Sequence, residues 1–110
     1  MGDQKDYLGG LEEVILLAVQ ALGTNAYGAT IHEALNEAKR RLSIGSLYVT
    51  LSRLEEKGFL ESHEGEPTPE RGGRAKKFFR LTGTGVKALN ETEEAREALR
   101  VQGRLAGGLA

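Results

Sequence analysis

Four polar side chains in residues 43–57, SIGSLYVTLSRLEEK, are of types that recognise other molecules through hydrogen bonds. These hydroxylated, aromatic and cationic residues are Ser46, Tyr48, Thr50 and Arg53. Hydroxyl and guanidinium groups donate hydrogen bonds to phosphates and to base edges in a DNA groove. In a helix, Thr50 would follow Ser46 by one turn and Arg53 would follow Thr50 at i+3, so these three would share one face. We expect phosphate or base contacts from Ser46 and Tyr48, and groove contacts from the other two.

Each of these side chains also has a purely structural interpretation. Ser46 could join Ser43 in capping the helix, and Arg53 could form an i,i+3 ion pair with Glu56. Tyr48 could pack against the hairpin that follows the helix.

A cationic segment, RGGRAKKFFR at residues 71–80, lies close behind and contains no acidic residue. Gly72 and Gly73 permit a tight chain reversal that would bring the backbone close to DNA. Arg71 and Arg74 flank this reversal, so they could reach phosphates or enter a minor groove.

Lys76 and Lys77 would add an attraction that does not depend on sequence and that salt would weaken. The structural alternative is an ordinary polar hairpin, which Glu64, Glu66 and Glu70 support. We expect those acids to lie on the limb of the hairpin that faces away from DNA.

Helical and strand patterns place these residues on a small set of elements. The spacing predicts helices over Gly10–Leu22, over roughly Ala26–Arg40, and from Ser43 to before Gly58. Gly23 and Gly58 would terminate the first and third helices, and Asn25 would cap the second. Strands are expected over Phe59–Glu64 and Ala75–Leu81, with Phe79 and Leu81 facing the core. A last helix would begin after Thr82 or Thr84 and run to about Gln102.

Some apolar residues exceed what a single protomer needs. Leu16 and Leu17 widen the apolar surface of the first helix beyond its core stripe. The last helix has only sparse apolar residues, among them Val86, Leu89 and Leu99, and so weak a stripe cannot hold a lone helix in water. We expect these five residues to lie at a dimer interface.

The order of elements predicts a mostly α fold with a small β-hairpin: a winged helix-turn-helix followed by a C-terminal dimerisation helix. Residues 8–81 would form a DNA-binding domain, and residues 82–104 would form the helix that joins two copies.

Composition excludes several other classes of protein. The chain has 110 residues, a net charge of −1 and no cysteine, so we expect one small domain without disulfides. No apolar run is long enough for a membrane span, which favours a cytoplasmic protein. The segment at His32 lacks the second histidine of a zinc-protease motif, and the segment at Thr82 lacks phosphate-loop spacing. We therefore expect no enzyme, no metal and no cofactor.

The chain resembles the PadR-like transcriptional regulators from about residue 8 to residue 89. The resembling segments are LEEVILLAVQAL, NAYGATIHEAL, LSIGSLYVTLSRLEEKGFLES and GGRAKKFFRLTGTGVKAL. The chain departs from the family in three ways: Val49 stands where proline is common, the region after Leu89 is short, and the tryptophan with which some members sandwich flat drugs is absent.

This resemblance implies a homodimer that binds a palindromic operator in double-stranded DNA, usually as a repressor. A small-molecule effector stays open, with no residue assigned to it. The alternative is a winged helix that binds another protein and no DNA.

Overall fold

The chain folds into four α-helices, a short 3-10 helix and a two-stranded antiparallel sheet within residues 8–65 and 76–107, which are the residues that the computed structural model describes. The elements are α1 Gly10–Leu22, the 3-10 helix Gly23–Asn25, α2 Gly28–Glu37, α3 Ile44–Glu56, β1 Leu60–Glu64, β2 Lys77–Leu81 and α4 Gly83–Leu105. This mostly helical architecture with a small hairpin confirms the predicted fold class.

One hydrophobic core joins the four α-helices and both strands. Each helix turns an apolar stripe inward, and the burial of one large aliphatic side chain contributes about 1.5–3 kcal/mol. The buried apolar residues are Ile15, Leu16, Ala18, Val19, Ala26, Ile31, Leu35, Leu47, Leu51, Leu54, Phe59, Leu60, Phe79, Ala88 and Leu89.

Local signals set both ends of α3, and both match the prediction. At the start, the Ser43 hydroxyl accepts a hydrogen bond from the backbone N–H of Ser46 at 3.0 Å. At the end, Gly58 adopts φ +82°, which glycine tolerates and most side chains do not. The backbone N–H of Phe59 then donates to the carbonyl of Leu54 at 3.0 Å, which satisfies the last turn.

The second helix is shorter than predicted at its start, and Asn25 does not cap it. Ala26 and Tyr27 are extended, because the carbonyl of Ala26 accepts a hydrogen bond from the N–H of Phe79 at 2.8 Å. Tyr27 takes the capping position instead, and its N–H donates to the Thr30 hydroxyl at 3.0 Å.

The predicted end of the second helix at Arg40 is also wrong, because α2 stops at Glu37. Lys39 adopts φ +63°, a left-handed conformation that cannot continue a helix. The N–H of Arg40 donates to the carbonyl of Leu35 at 2.8 Å, which closes the last turn. The turn to α3 is therefore sharp, as a helix-turn-helix requires.

The hairpin lies against the core through one face. Leu60 pairs with Leu81 and Ser62 pairs with Phe79 across the two strands. Phe79 is buried and Leu81 is half-buried, which confirms that both face inward. Tyr27 forms an isolated bridge to Phe78, so the start of α2 is attached to the hairpin.

The last helix, α4, begins where predicted and continues past the predicted end. Thr82 caps it, since its hydroxyl accepts from the N–H of Gly85 at 3.0 Å. Gly85 lies so close to β1 that an added Cβ would stand 2.1 Å from the carbonyl oxygen of Phe59. The helix runs to Leu105, and residues 97–107 are all exposed.

Candidate nucleic-acid interface

The surface of α3 that points away from the core differs from the face that the sequence predicts. Leu47, Leu51 and Leu54 face the core. The side directly opposite carries Gly45, Val49, Ser52 and Glu56, which recur at spacings of four, three and four residues. Of these, Val49 is 58% exposed, which is unusual for an aliphatic side chain in the middle of a helix. Neither Val49 nor Ser52 is among the contacts predicted from the sequence, although both lie at helical spacing opposite the apolar leucines.

Ser46 flanks this surface, and its hydroxyl is exposed. The Ser43 hydroxyl donates to Ser46 Oγ at 3.0 Å, so the proton of the Ser46 hydroxyl stays available to a partner. The capping interpretation and the contact interpretation are thus compatible, because Ser43 performs the capping.

Thr50 does not belong to the exposed surface. It is only 4% exposed, and its hydroxyl donates to the carbonyl of Ser46 at 2.9 Å. The expected groove contact from Thr50 is therefore wrong: the hydroxyl is used inside the helix and the methyl group faces the protein.

Tyr48 lies on the other flank of α3, against the first residue of α2. An added Cβ at Gly28 would stand 1.9 Å from the Tyr48 hydroxyl oxygen, so the phenol ring lies directly over that glycine. The ring is still 48% exposed. The structural alternative of packing against the hairpin is replaced by packing against α2, and the hydroxyl lies beside the amide groups that begin this helix.

Arg53 is exposed beside Ser46, and it makes no ion pair with Glu56 or with any other acid of residues 8–65 and 76–107. Lys39, Arg40 and Arg41 in the turn before α3 likewise form no ion pair within the described ranges. No contact was predicted for this turn, although a run of cations directly before the predicted contact helix could have indicated one.

The wing is the hairpin of β1 and β2 with the segment that connects them, and its two described lysines at positions 76 and 77 have different surroundings. Lys76 places its Nζ 4.5 Å from the centroid of the Tyr27 ring, a cation–π contact that holds it beside the start of α2. Lys77 lies 3.6 Å from a carboxylate oxygen of Glu55, which also accepts a hydrogen bond from Ser62 at 2.6 Å. Glu55 thus connects the wing to α3. Arg71, Gly72, Gly73 and Arg74 lie outside the described residues.

Ion pairing divides the described cations into two sets. The arginines and lysines of α4 and of β2 lie beside carboxylates, as in the pairs Arg96–Glu13 and Arg80–Glu61. Those around the exposed side of α3 have no such partner within the described ranges. Cations without an ion pair in these ranges are therefore grouped beside the outward side of α3, and Glu56 is the carboxylate that lies on that side.

The residues predicted for a dimer interface separate into two groups. Leu16 and Leu89 are buried in the core of the protomer, so their assignment to an interface is wrong. Leu17 and Val86 are partly exposed, and Leu99 is 64% exposed on the projecting end of α4.

Other kinds of site find no support in the part of the chain that the structure describes. No helix there is long and apolar enough to cross a bilayer. No group of three or more metal-ligating side chains occurs there either. His32 is engaged locally, since its Nε2 lies 2.9 Å from the carbonyl oxygen of Leu42.

A helix-turn-helix followed by an antiparallel hairpin, with one side of the second helix exposed, is the architecture of a winged-helix protein. Comparison with known proteins narrows this class. Residues 15–91 match the transcriptional regulator PadR-like family. The chain belongs to this family and is a transcriptional regulator.

Individual relatives agree with this assignment. The chain is 37% identical over 79 residues to the transcriptional regulator Rv3488 of Mycobacterium tuberculosis, covering 72% of this chain and 70% of that one. Its fold is similar to the X-ray structure of a PadR-like transcription factor from Bacteroides fragilis, with a TM-score of 0.70, 30% identity, and coverage of 91% and 89% of the two chains. A PadR family regulator from Eggerthella lenta gives a TM-score of 0.65 at 28% identity, with coverage of 84% and 80%.

Proposed function

We propose that this regulator binds operator DNA sequence-specifically by inserting the outward side of α3 into the major groove. The observation that carries the proposal is the exposed surface of α3, which is bordered by cations without carboxylate partners in the described ranges. A major groove about 12 Å wide admits one α-helix.

Contacts with base edges are assigned to side chains on the outward side of α3 and directly beside it. Arg53 can donate two hydrogen bonds to guanine, a contact worth about 1–3 kcal/mol of discrimination. Val49 presents a methyl-rich surface of the kind that contacts the methyl group of thymine. Ser46 and Ser52 add hydroxyl groups on either side.

Phosphate contacts are assigned to the elements around α3. The Tyr48 hydroxyl and the start of α2 would meet one strand, and Arg40 and Arg41 would approach the backbone from the turn before α3. Lys76 and, more weakly, Lys77 would hold the wing against the duplex, because Lys77 shares its charge with Glu55. Arg71, Gly72, Gly73 and Arg74 remain predicted wing contacts.

We further propose that two copies bind a palindromic operator and repress transcription. In this arrangement residues 8–81 bind DNA, and the exposed end of the C-terminal helix joins the two protomers. Two symmetry-related copies of α3 would enter major grooves about 34–36 Å apart. A dimer so placed on a promoter would exclude other proteins from that DNA in the cytoplasm.

The test is fluorescence anisotropy on a duplex from the region upstream of the gene and on a random duplex, each titrated with salt. Arg53→Ala should lose the preference for the upstream duplex. Arg41→Gln should weaken binding to both duplexes and flatten the salt slope, because one phosphate contact is lost.

Lys87→Gln is the matched control, since Lys87 is also an exposed cation but pairs with Glu91 near the start of α4. If Arg53→Ala and Arg41→Gln bind both duplexes like the unchanged protein, the assigned surface is wrong. If the unchanged protein binds neither duplex and co-purifies with another protein, the alternative of a protein-interaction module gains support.

A further inference from the structure

Glu12 brings a buried carboxylate from the first turn of α1 to the end of α3. The residue is only 9% exposed. One carboxylate oxygen accepts a hydrogen bond from the backbone N–H of Gly9 at 3.1 Å, and the other lies 2.8 Å from the Nζ of Lys57. Both oxygens of this carboxylate are therefore occupied in the folded chain.

Arg53 lies one helical turn before Lys57, so both cations are on the same flank of α3. Burial raises the pKa of the Glu12 carboxyl, and hydrogen bonds from Lys57 and from the backbone of Gly9 lower it. The charge of Arg53 lowers this pKa as well, so the guanidinium lies within electrostatic reach of the carboxylate. Arg53 nevertheless makes no ion pair within residues 8–65 and 76–107.

Two cations thus lie near one carboxylate, and Lys57 is the one that pairs with it. A buried carboxylate that loses its partner is strongly destabilised, because its charge is then neither paired nor hydrated. Without Lys57, the free oxygen of Glu12 would need another donor. The long side chain of Arg53 could supply one from the neighbouring turn, and its guanidinium would then point at α1.

Such a rearrangement would compete with DNA recognition. The guanidinium of Arg53 donates two hydrogen bonds to guanine only while its N–H groups are free. A guanidinium that has paired with Glu12 would have to break a charge-assisted hydrogen bond before it reached a base.

From this arrangement we infer that Lys57 is a positioning residue for DNA recognition: by occupying Glu12, it keeps the guanidinium of Arg53 free to contact base edges. The inference rests on the base contact proposed above for Arg53. It goes beyond that contact, because the sequence preference of the protein then depends on an ion pair between α1 and the end of α3.

The test measures sequence preference, defined as the ratio of the affinities of the full chain for the upstream duplex and for the random duplex at one salt concentration. Lys57→Gln should lower this ratio about tenfold, toward the value for Arg53→Ala, because Glu12 then captures Arg53. Glu12→Gln should leave the ratio unchanged, since no carboxylate then competes with the bases.

The double variant that combines Glu12→Gln with Lys57→Gln separates positioning from simple stabilisation. It lacks the ion pair altogether, so a purely structural role of Lys57 predicts that its preference stays as low as in Lys57→Gln. The inference predicts that the preference returns, because a neutral glutamine does not capture Arg53. Lys87→Gln is the matched control, since Lys87 also lies beside a carboxylate, that of Glu91, but on α4. Melting curves establish that all variants are folded.

A second measurement needs no DNA. In urea unfolding, Arg53→Ala should raise the equilibrium constant of unfolding about fivefold more in the Lys57→Gln background than in the unchanged protein. The reason is that Arg53 pairs with Glu12 only in that background.

Unchanged preference in Lys57→Gln would overturn the inference. So would a double variant whose preference stays low, or equal effects of Arg53→Ala on unfolding in the two backgrounds. If Arg53→Ala keeps the preference of the unchanged protein, the proposed base contact is itself wrong. The unfolding experiment then still shows whether Lys57 keeps Arg53 away from Glu12.

Discussion

The phenol ring of Tyr48 occupies the space that a side chain at position 28 would need. An alanine Cβ at Gly28 would stand 2.6 Å from the ring carbon Cζ, so the ring would have to move. Since Tyr48 is half-exposed, it can move into solvent at small cost to the fold. The glycine thus determines where the hydroxyl of a proposed DNA contact lies.

Gly28→Ala should therefore weaken DNA binding about tenfold while leaving the melting temperature nearly unchanged, because a hydrogen bond to a charged group contributes about 1.5–3 kcal/mol. Gly10→Ala is the control, since Gly10 is likewise the first residue of a helix and has open space around it. In a Tyr48→Ala background Gly28→Ala should have no further effect on affinity. Additive losses in the double variant would show that Gly28 acts independently of Tyr48.

At the scale of elements, α4 is attached to the body of the protein at a point of close backbone approach. The carbonyl oxygen of Phe59 leaves no room for a Cβ at Gly85, and this carbonyl also accepts from the N–H of Thr82 at 3.1 Å. The backbone carbonyl of Phe59 cannot rotate away as the Tyr48 ring can, so a side chain at position 85 must displace α4 from β1.

Gly85→Ala should lower the free energy of unfolding by about 1–3 kcal/mol, the usual cost of overpacking. Gly83→Ala, two residues earlier in the same helix, has open space around it and should cost far less. Urea unfolding of the two variants measures the difference, and equal stabilities would contradict the close approach.

The first turn of α1 connects two other elements through adjacent carboxylates. Glu12 lies 2.8 Å from Lys57 at the end of α3, and Glu13 lies 2.6 Å from Arg96 of α4. Burial raises the pKa of Glu12, but hydrogen bonds from Lys57 and from the N–H of Gly9, with the charges of Lys57 and Arg53, outweigh it and lower this pKa below its ordinary value of 4.5.

Because the pKa of Glu12 is lower in the folded state, its ionised form stabilises the fold above the unfolded pKa, and this contribution is lost as the pH falls through the folded pKa. Glu12→Gln should thus be less stable than the unchanged protein at about pH 7, and the difference should narrow toward about pH 3. Chemical unfolding at several pH values measures this. Glu33→Gln, at an exposed position, serves as the control, and a difference that widens toward acid would refute the coupling.

The elements whose ends carry local signals could be predicted from the sequence. Ser43 and Gly58 bound α3 through contacts with their own neighbours, and Gly23 ends α1 in the same way. The ends of α2 depend on a hydrogen bond from distant Phe79 and on a lysine in a left-handed conformation. The residues that lie next to α2 in the sequence indicate neither of these two causes.

The candidate site shows the same division between local and long-range causes. The choice of α3 as the contact helix follows from its residue types, and Ser46, Tyr48 and Arg53 do lie at its surface. Periodicity alone could not place Thr50 inside, because that depends on how far the core extends around the helix. That Arg40 and Arg41 form no ion pair within the described ranges is a property of the folded chain.

At the scale of the whole molecule, α4 makes the protomer elongated. The chain measures 59 × 33 × 22 Å, and its radius of gyration of 16.5 Å exceeds the value of about 13 Å for a compact domain of this length. Beyond Arg96 the helix shows only exposed residues, including Leu99 at 64% and Leu105 at 83%. An isolated helical end of this kind is marginal in water, and the proposed dimer would stabilise it.

We expect sedimentation to give about 24 kDa, twice the 11.9 kDa of one chain, at roughly ten micromolar protein. Leu99→Lys should shift the mass to that of a single chain, because a charge would be buried at the contact between the two helices. Binding to a palindromic duplex should fall with it, since each protomer then contacts one half-site alone. Glu94→Lys introduces the same residue on another side of α4 and should leave the dimer intact. If the unchanged protein sediments with the mass of one chain, the proposed dimer is wrong. One copy of α3 could still bind a half-site in that case.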